Sequence, residues 1–272
     1  MGNGISFSVG VNWKADNFEN DQPGPWKSFG FDFLGSNGRK YTYECKDFEE
    51  HKQYNQQEFN LTGYRHILSM RQIFNLNLTL QYFVTYQNAD YLKAELPSTQ
   101  EYLISAIRTE LFKDLINIDL GHGFALKKNG VDYTYCSFDY AKIYEIGKDD
   151  GFVFSLKGGL ATDKTPLYFQ FLAGGYSDIP LRGHNYDLVG NAYLVSNIEY
   201  HKQLRKKEFL GIVFVDFGKV SGRSNEFSKA DFILDAGIGI GYNSPLGIIR
   251  LDKGFNLLEG DDTWNFTMGH TF

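Results

Sequence analysis

Alternation of apolar and polar side chains with a period of two, recurring along the whole chain, limits this sequence most. It is the period of a β-strand, whose successive side chains point to opposite faces. Residues 75–86 show it best. Leu76, Leu78, Leu80, Tyr82, Val84 and Tyr86 fall on one face, and Asn75, Asn77, Thr79 and Gln81 on the other. Ile5, Phe7, Val9 and Val11 likewise oppose Ser6, Ser8, Gly10 and Asn12. Val213, Val215 and Phe217 oppose Phe214, Asp216 and Gly218.

The alternation predicts fourteen strands, at 5–13, 27–34, 39–49, 58–69, 74–86, 102–112, 115–126, 133–146, 152–162, 192–202, 207–219, 231–243, 247–256 and 263–272. Mean hydropathy is -0.35, and no stretch approaches the roughly 18 apolar residues of a spanning helix. A soluble sandwich and a membrane barrel both fit that average, because alternating strands hide an apolar face from it. Three features favour an all-β transmembrane antiparallel β-barrel. The polar face carries charges and glycines as well as Ser and Thr. The strands have the length that crosses hydrocarbon at a tilt. Aromatic residues, 17% of the chain, gather near strand ends at Tyr82, Tyr86, Tyr133, Tyr135, Tyr242 and Trp264, as in interfacial girdles. Short turns are expected at 35–38, 70–72, 113–114, 147–151, 204–207 and 243–247. The opposite connections are expected at 14–26, 87–101, 163–191 and 220–230, with short ones at 50–57, 127–132 and 257–262. Nothing resembling a linker divides the chain, so residues 1–272 read as one barrel domain.

Several classes of function are disfavoured. A net charge of -6 argues against nucleic acid as a partner, since phosphate binding needs a basic surface. No dinucleotide, phosphate-loop or zinc pattern appears, and His51, His66, His122, His184, His201 and His270 have no metal spacing. No cofactor, metal or catalytic residue is expected. Asp235-Ala236-Gly237 superficially matches half of a hydrolase dyad, but lies within a strand and lacks a Gly-x-Ser-x-Gly nucleophile, so it reads as barrel wall. Cys45 and Cys136 allow a disulfide without requiring one. MGNGISFSVG lacks a basic start and an apolar core, so a leader, with or without periplasmic domains, is expected upstream.

The longest connection contains FLAGGYSDIPLRGHNYDLVGN, residues 171–191. The strand after the next reads Gly211-Ile212-Val213-Phe214-Val215-Asp216-Phe217-Gly218, and an NSPLG turn and an aromatic terminus follow. Over about the last hundred residues the sequence resembles the C-terminal barrel of the bacterial surface antigen superfamily. That superfamily comprises outer-membrane assembly factors, two-partner secretion transporters and patatin-like autotransporters. Leu181, Arg182 and Gly183 match its loop tip, and His184 stands where an aromatic residue is usual. Gly211, Phe214, Asp216 and Gly218 match its Gly-x-x-Phe-x-Asp-x-Gly strand. Ser244, Pro245, Leu246 and Gly247 match its turn. Phe272 ends the chain after Trp264, Phe266 and Met268, like the signal that the barrel-assembly machinery reads.

The resemblance implies that the long loop folds into the lumen and that Arg182 meets Asp216. A lumenal carboxylate needs a partner, and guanidinium fits it as a two-pronged fork. Gly183 would allow a tight turn at the tip. The family barrel has sixteen strands, which is the alternative to fourteen. The implied function is the outer-membrane barrel of a protein insertion or secretion system, non-enzymatic, with the lipid bilayer, the assembly machinery and a translocated or inserted polypeptide as partners. The alternative is an anchoring and export barrel for a surface patatin-like phospholipase. A small-solute porin is disfavoured, because an inward loop would fill its lumen.

Overall fold

A computed structural model describes residues 7–12, 27–35, 39–54, 57–75, 78–92, 99–112, 115–128, 130–175, 177–184, 188–204, 208–244 and 247–268. Its strands are β1 (Phe7–Asn12), β2 (Lys27–Gly35), β3 (Arg39–Tyr54), β4 (Gln57–Asn75), β5 (Leu78–Leu92), β6 (Thr99–Leu111), β7 (Ile116–Ala125), β8 (Tyr133–Glu145), β9 (Asp150–Ala161), β10 (Phe171–Gly174), β11 (Ile179–Pro180), β12 (Leu188–Gly190), β13 (Ala192–Gln203), β14 (Phe209–Ser221), β15 (Ile233–Ser244), β16 (Gly247–Asn256) and β17 (Asp262–Met268). Fourteen of them follow one another in a sheet in chain order, while β10, β11 and β12 form a small sheet of their own. The chain is thus a large all-β structure, and no described helix is long and apolar enough to cross a membrane. It divides into two compact units, Met1–Cys136 with Lys164–Phe169, and Ser137–Asp163 with Gln170–Phe272.

In the first unit the ladders are longer than the alternation suggests. Residues 70–72 are not a turn: Met70, Arg71 and Gln72 continue β4, pairing with Tyr41, Lys40 and Arg39 of β3. Met-Arg-Gln contains none of the residues that favour a tight turn, and β4 runs on through it to Asn75. The alternating run at 75–86 is accordingly shared, with Asn75 closing β4 and Leu78 opening β5. Much of the expected connections at 50–57 and 87–101 is strand, because β3 runs to Tyr54, β4 begins at Gln57, β5 runs to Leu92 and β6 begins at Thr99. A run of charged residues does not end a strand when cross-strand partners satisfy its backbone.

Two aromatic positions are also corrected. Tyr133 and Tyr135 belong to no outward girdle. Tyr133 is buried against Tyr102 and stacks on Phe169 at 4.7 Å. A Cβ at Gly123 would lie 2.1 Å from the Tyr133 ring, and one at Gly121 would lie 2.3 Å from Tyr135. Each tyrosine therefore lies flat over a glycine of the neighbouring strand, where the missing side chain makes room. Arg65 reaches the Tyr168 hydroxyl at 3.1 Å from the same face.

In the second unit the two faces separate cleanly. Leu194, Ile198, Val213, Val215, Leu251 and Phe255 are exposed, whereas Val195, Asn197, Glu199, Phe214, Asp216, Asp252 and Asn256 are buried. Described residues between 171 and 188 pack on the polar face. Ala173, Ile179 and Leu181 pack with Tyr193 and Val195, flanked by Phe171, Leu188, Val220 and Ile233. At the start of that connection, Asp163 accepts hydrogen bonds from the Ser224 hydroxyl and N–H, both at 2.6 Å. These donors hold the Asp163 carboxyl below the ordinary carboxylate range. Because the shift is downward, the clamp is present above the unfolded value and lost as pH falls through the folded one, below about pH 4. Asp163→Ala should raise proteolytic cleavage within 222–230 several-fold at neutral pH while leaving the thermal midpoint unchanged. Limited proteolysis and a melting curve check both. Cys136 is free and exposed, so the Cys45–Cys136 disulfide is not formed.

Candidate functional site

Residues 181–184 form a four-residue turn, closed by the His184 N–H donating to the Leu181 carbonyl at 3.3 Å. The Leu181 N–H donates to Gly174 O at 3.2 Å, which ties the turn to β10. All four residues are buried. What they meet follows from strand register. Ser155, Asn197, Asp216, Asp235 and Asn256 stand side by side in one row across β9, β13, β14, β15 and β16. The next row is Val153, Glu199, Phe214, Gly237, Gly254 and Thr263, and the one after it is Gly151, His201, Ile212, Gly239, Asp252 and Asn265.

Arg182 lies on these rows. Its Nε donates to Asp216 Oδ2 at 2.8 Å, its Nη2 to Asp216 Oδ1 and its Nη1 to Glu199 Oε1. The Arg182 backbone N–H also donates to Asp216 Oδ2, at 3.0 Å. Asn197 steadies the same carboxylate, donating to Asp216 Oδ1 at 2.9 Å and to Pro180 O at 2.8 Å. The guanidinium carbon sits 3.6 Å from the centre of the Phe214 ring. A Cβ at Gly237 would lie 2.3 Å from that ring. Glycine thus lets Phe214 lie down, and the flat ring gives the cation a face to stack on.

A second guanidinium completes the cluster. Arg250 donates to both oxygens of Glu199, at 2.8 and 3.2 Å, and to Asp252 Oδ2 at 2.7 Å. His201 Nε2 lies 2.5 Å from Glu199 Oε2. On the other flank, Asp235 Oδ2 accepts the Gly183 N–H at 2.8 Å and lies 3.2 Å from His184 Nδ1. Asn256 Oδ1 accepts the backbone N–H groups of Leu258 and Glu259, both at 3.1 Å, which leaves its amide nitrogen to donate to His184 Nε2 at 3.2 Å. That geometry puts the imidazole proton on Nδ1, facing Asp235.

Two expectations change. Gly183 does not have the left-handed backbone that favours glycine; among the described residues only Gly260 is a glycine of positive φ. Gly183 serves close approach: a Cβ there would lie 2.6 Å from both Asn256 N and the Asp235 carboxylate. Asp235, read from sequence as plain wall, is fully buried and binds two residues of the tip. Glu199, Arg250, Asp252, Asn256 and Asn265 were not singled out from sequence, although all alternate onto the polar face. Of the remaining motif residues, Gly218 is needed for space, since a Cβ would lie 2.3 Å from Leu194 O. Gly211 has no neighbour closer than 3.5 Å to such a Cβ, and nothing in the structure demands glycine there. Ser244 and Gly247 pair at the base of the last turn. Trp264, Phe266 and Met268 are exposed on the apolar face. Pro245, Leu246 and Phe272 lie outside the described residues. Among the described residues no group of His, Cys, Asp and Glu is placed to hold a metal ion.

The family model for the Omp85 superfamily domain matches residues 115–272, more than half of the chain and all of this site. The chain belongs to the Omp85 superfamily. It is therefore an outer-membrane protein, of a family concerned with protein insertion or secretion at that membrane and non-enzymatic at family level. It is 32% identical over 115 residues to outer envelope protein 80, chloroplastic, of Arabidopsis thaliana, which covers 39% of this chain and 15% of that one. Its fold is similar to BamA from Haemophilus ducreyi lacking POTRA domains 1-3, with a TM-score of 0.60, 11% identity and coverage of 97% of this chain and 74% of that one. CdiB from Acinetobacter baumannii has the same TM-score and 11% identity, with 89% of this chain and 50% of that one covered. CdiB from Escherichia coli also has a TM-score of 0.60, at 13% identity, covering 90% and 51%. This Omp85 chain spans a small part of the plant relative and about half of each CdiB.

Proposed function

We propose that residues 1–272 close into one transmembrane β-barrel whose polar face is the lumen, and that this barrel inserts or secretes other polypeptides by non-covalent means. The observation that carries the reading is the burial of the 181–184 turn on the polar face, with Arg182 held by Asp216 and Glu199. A porin would leave that face open to water. Exposed Trp264, Phe266 and Met268 suit a lipid-facing last strand. Lys253, 5.2 Å from the Trp264 ring and 2.8 Å from Asp262, suits the head-group level. The assembly machinery that would place this barrel, and the polypeptide it would pass, belong to the same reading.

The test is reconstitution of the whole chain in phosphatidylcholine vesicles, followed by addition of an unfolded outer-membrane barrel protein. Folding of that substrate, read as heat-modifiable gel mobility, should quicken several-fold over empty vesicles. A barrel that inserts but leaves the rate unchanged would instead favour the anchoring role in a patatin-like autotransporter.

A further inference from the structure

Among the described residues, the side chain of β17 that hydrogen-bonds the loop tip from the polar side is Asn265. Its Nδ2 donates to the Arg182 carbonyl at 2.9 Å, and the residue is 2% exposed. Two glycines bring the partners together. A Cβ at Gly254 would lie 1.9 Å from Arg182 O, so the Arg182 peptide rests directly on β16 and its carbonyl reaches the strand beyond. A Cβ at Gly175 would lie 2.1 Å from Asn265 Oδ1, so the other edge of the amide lies against the base of the loop. The rest of β17 is held differently. Its backbone pairs with β16 from Asp262 to Met268, and Trp264, Phe266 and Met268 face outward.

We infer that Asn265 is a positioning residue that latches the terminal strand to the Arg182 turn, so that docking of the turn sets how firmly β17 stays in the sheet. The arrangement makes chemical sense. Arg182 spends its guanidinium on β13 and β14 and its backbone N–H on β14. Its carbonyl is the one strong acceptor left, and β17 supplies the donor. One residue thereby joins the fixed strands to the terminal one.

The test is hydrogen–deuterium exchange of the whole chain in detergent micelles. Asn265→Asp keeps the shape and removes the donor at neutral pH. It should speed exchange in 262–268 at least tenfold while leaving 209–221 within twofold. Thr263→Val is a control on the same strand and face, and should leave 262–268 within twofold of the parent. Gly254→Ala pushes Arg182 O away from the other side and should reproduce the Asn265→Asp result, which covers the case in which that variant does not fold. Unchanged exchange in 262–268, equal loosening in Thr263→Val, or uniform acceleration across all strands would each overturn the latch. Because exchange is read without any substrate, failure here is distinct from failure of the insertion assay.

Discussion

Replacing Arg182 with alanine should lower stability by about 3–5 kcal/mol, and replacing it with lysine should recover little of that loss. The alanine figure is the cost of stranding a buried charge when its partner is removed. Here Asp216 and Glu199 would both lose a donor, and both are nearly without solvent contact. Lysine restores the charge but not the shape. The guanidinium meets Asp216 with two parallel N–H groups, turns a third toward Glu199 and offers a flat face to Phe214. An ammonium group makes none of these together. Denaturant unfolding in detergent measures the loss, and proteolysis within 170–191 should rise in step with it. A lysine variant matching the parent in both would show that charge alone, without the fork, holds the turn.

Gly183→Ala should release the turn even though it adds one methyl group. The new Cβ would meet Asn256 N and the Asp235 carboxylate, each at 2.6 Å. Neither yields cheaply: Asn256 N is backbone of β16, and Asp235 is fully buried in β15. Overpacking of this kind costs roughly 1–3 kcal/mol in a well-packed core. The turn itself is tied down by few backbone bonds, so the strain should be relieved by undocking rather than borne in place. The expected result is a fall in stability of that size together with several-fold faster cleavage in 170–191. A Gly183→Ala variant with the stability and cleavage of the parent would show that the turn has room for a side chain there.

Residues that announce themselves in sequence do so through period and chemistry. β14 is legible because Val213 and Val215 alternate with Phe214 and Asp216, and a carboxylate on an enclosed face needs a cation. Leu181-Arg182-Gly183 is legible only through the family's motif. The rest is hidden because it depends on register between strands far apart in the chain. Nothing in GIIRLDKGF shows that Arg250 and Asp252 will stand beside Glu199, 51 residues away from Arg250. Asp235 reads as plain wall because a strand carboxylate looks alike whether it faces water or a docked loop. Tyr133 and Tyr135 read as girdle residues in sequence because an aromatic near a strand end can point either way. What decides is Gly121 and Gly123 on β7, whose gaps are visible only once the strands are aligned. The 70–72 turn fails for the opposite reason: a break in the apolar alternation suggests a strand end, whereas the neighbouring strand continues the ladder through Gln72.

The most direct measurement is spin-label accessibility along β14 in a lipid bilayer, one cysteine at a time at 212, 213, 215 and 217, with Cys45 and Cys136 replaced and Phe214 and Asp216 kept because they hold Arg182. An apolar wall with a covered face behind it predicts high exposure to oxygen dissolved in lipid at 213, 215 and 217. At 212, on the inward face and buried, it predicts little access to oxygen or to a water-soluble relaxant. Equal access at 212 and at the outward positions, or free entry of the water-soluble agent at 212, would contradict the account.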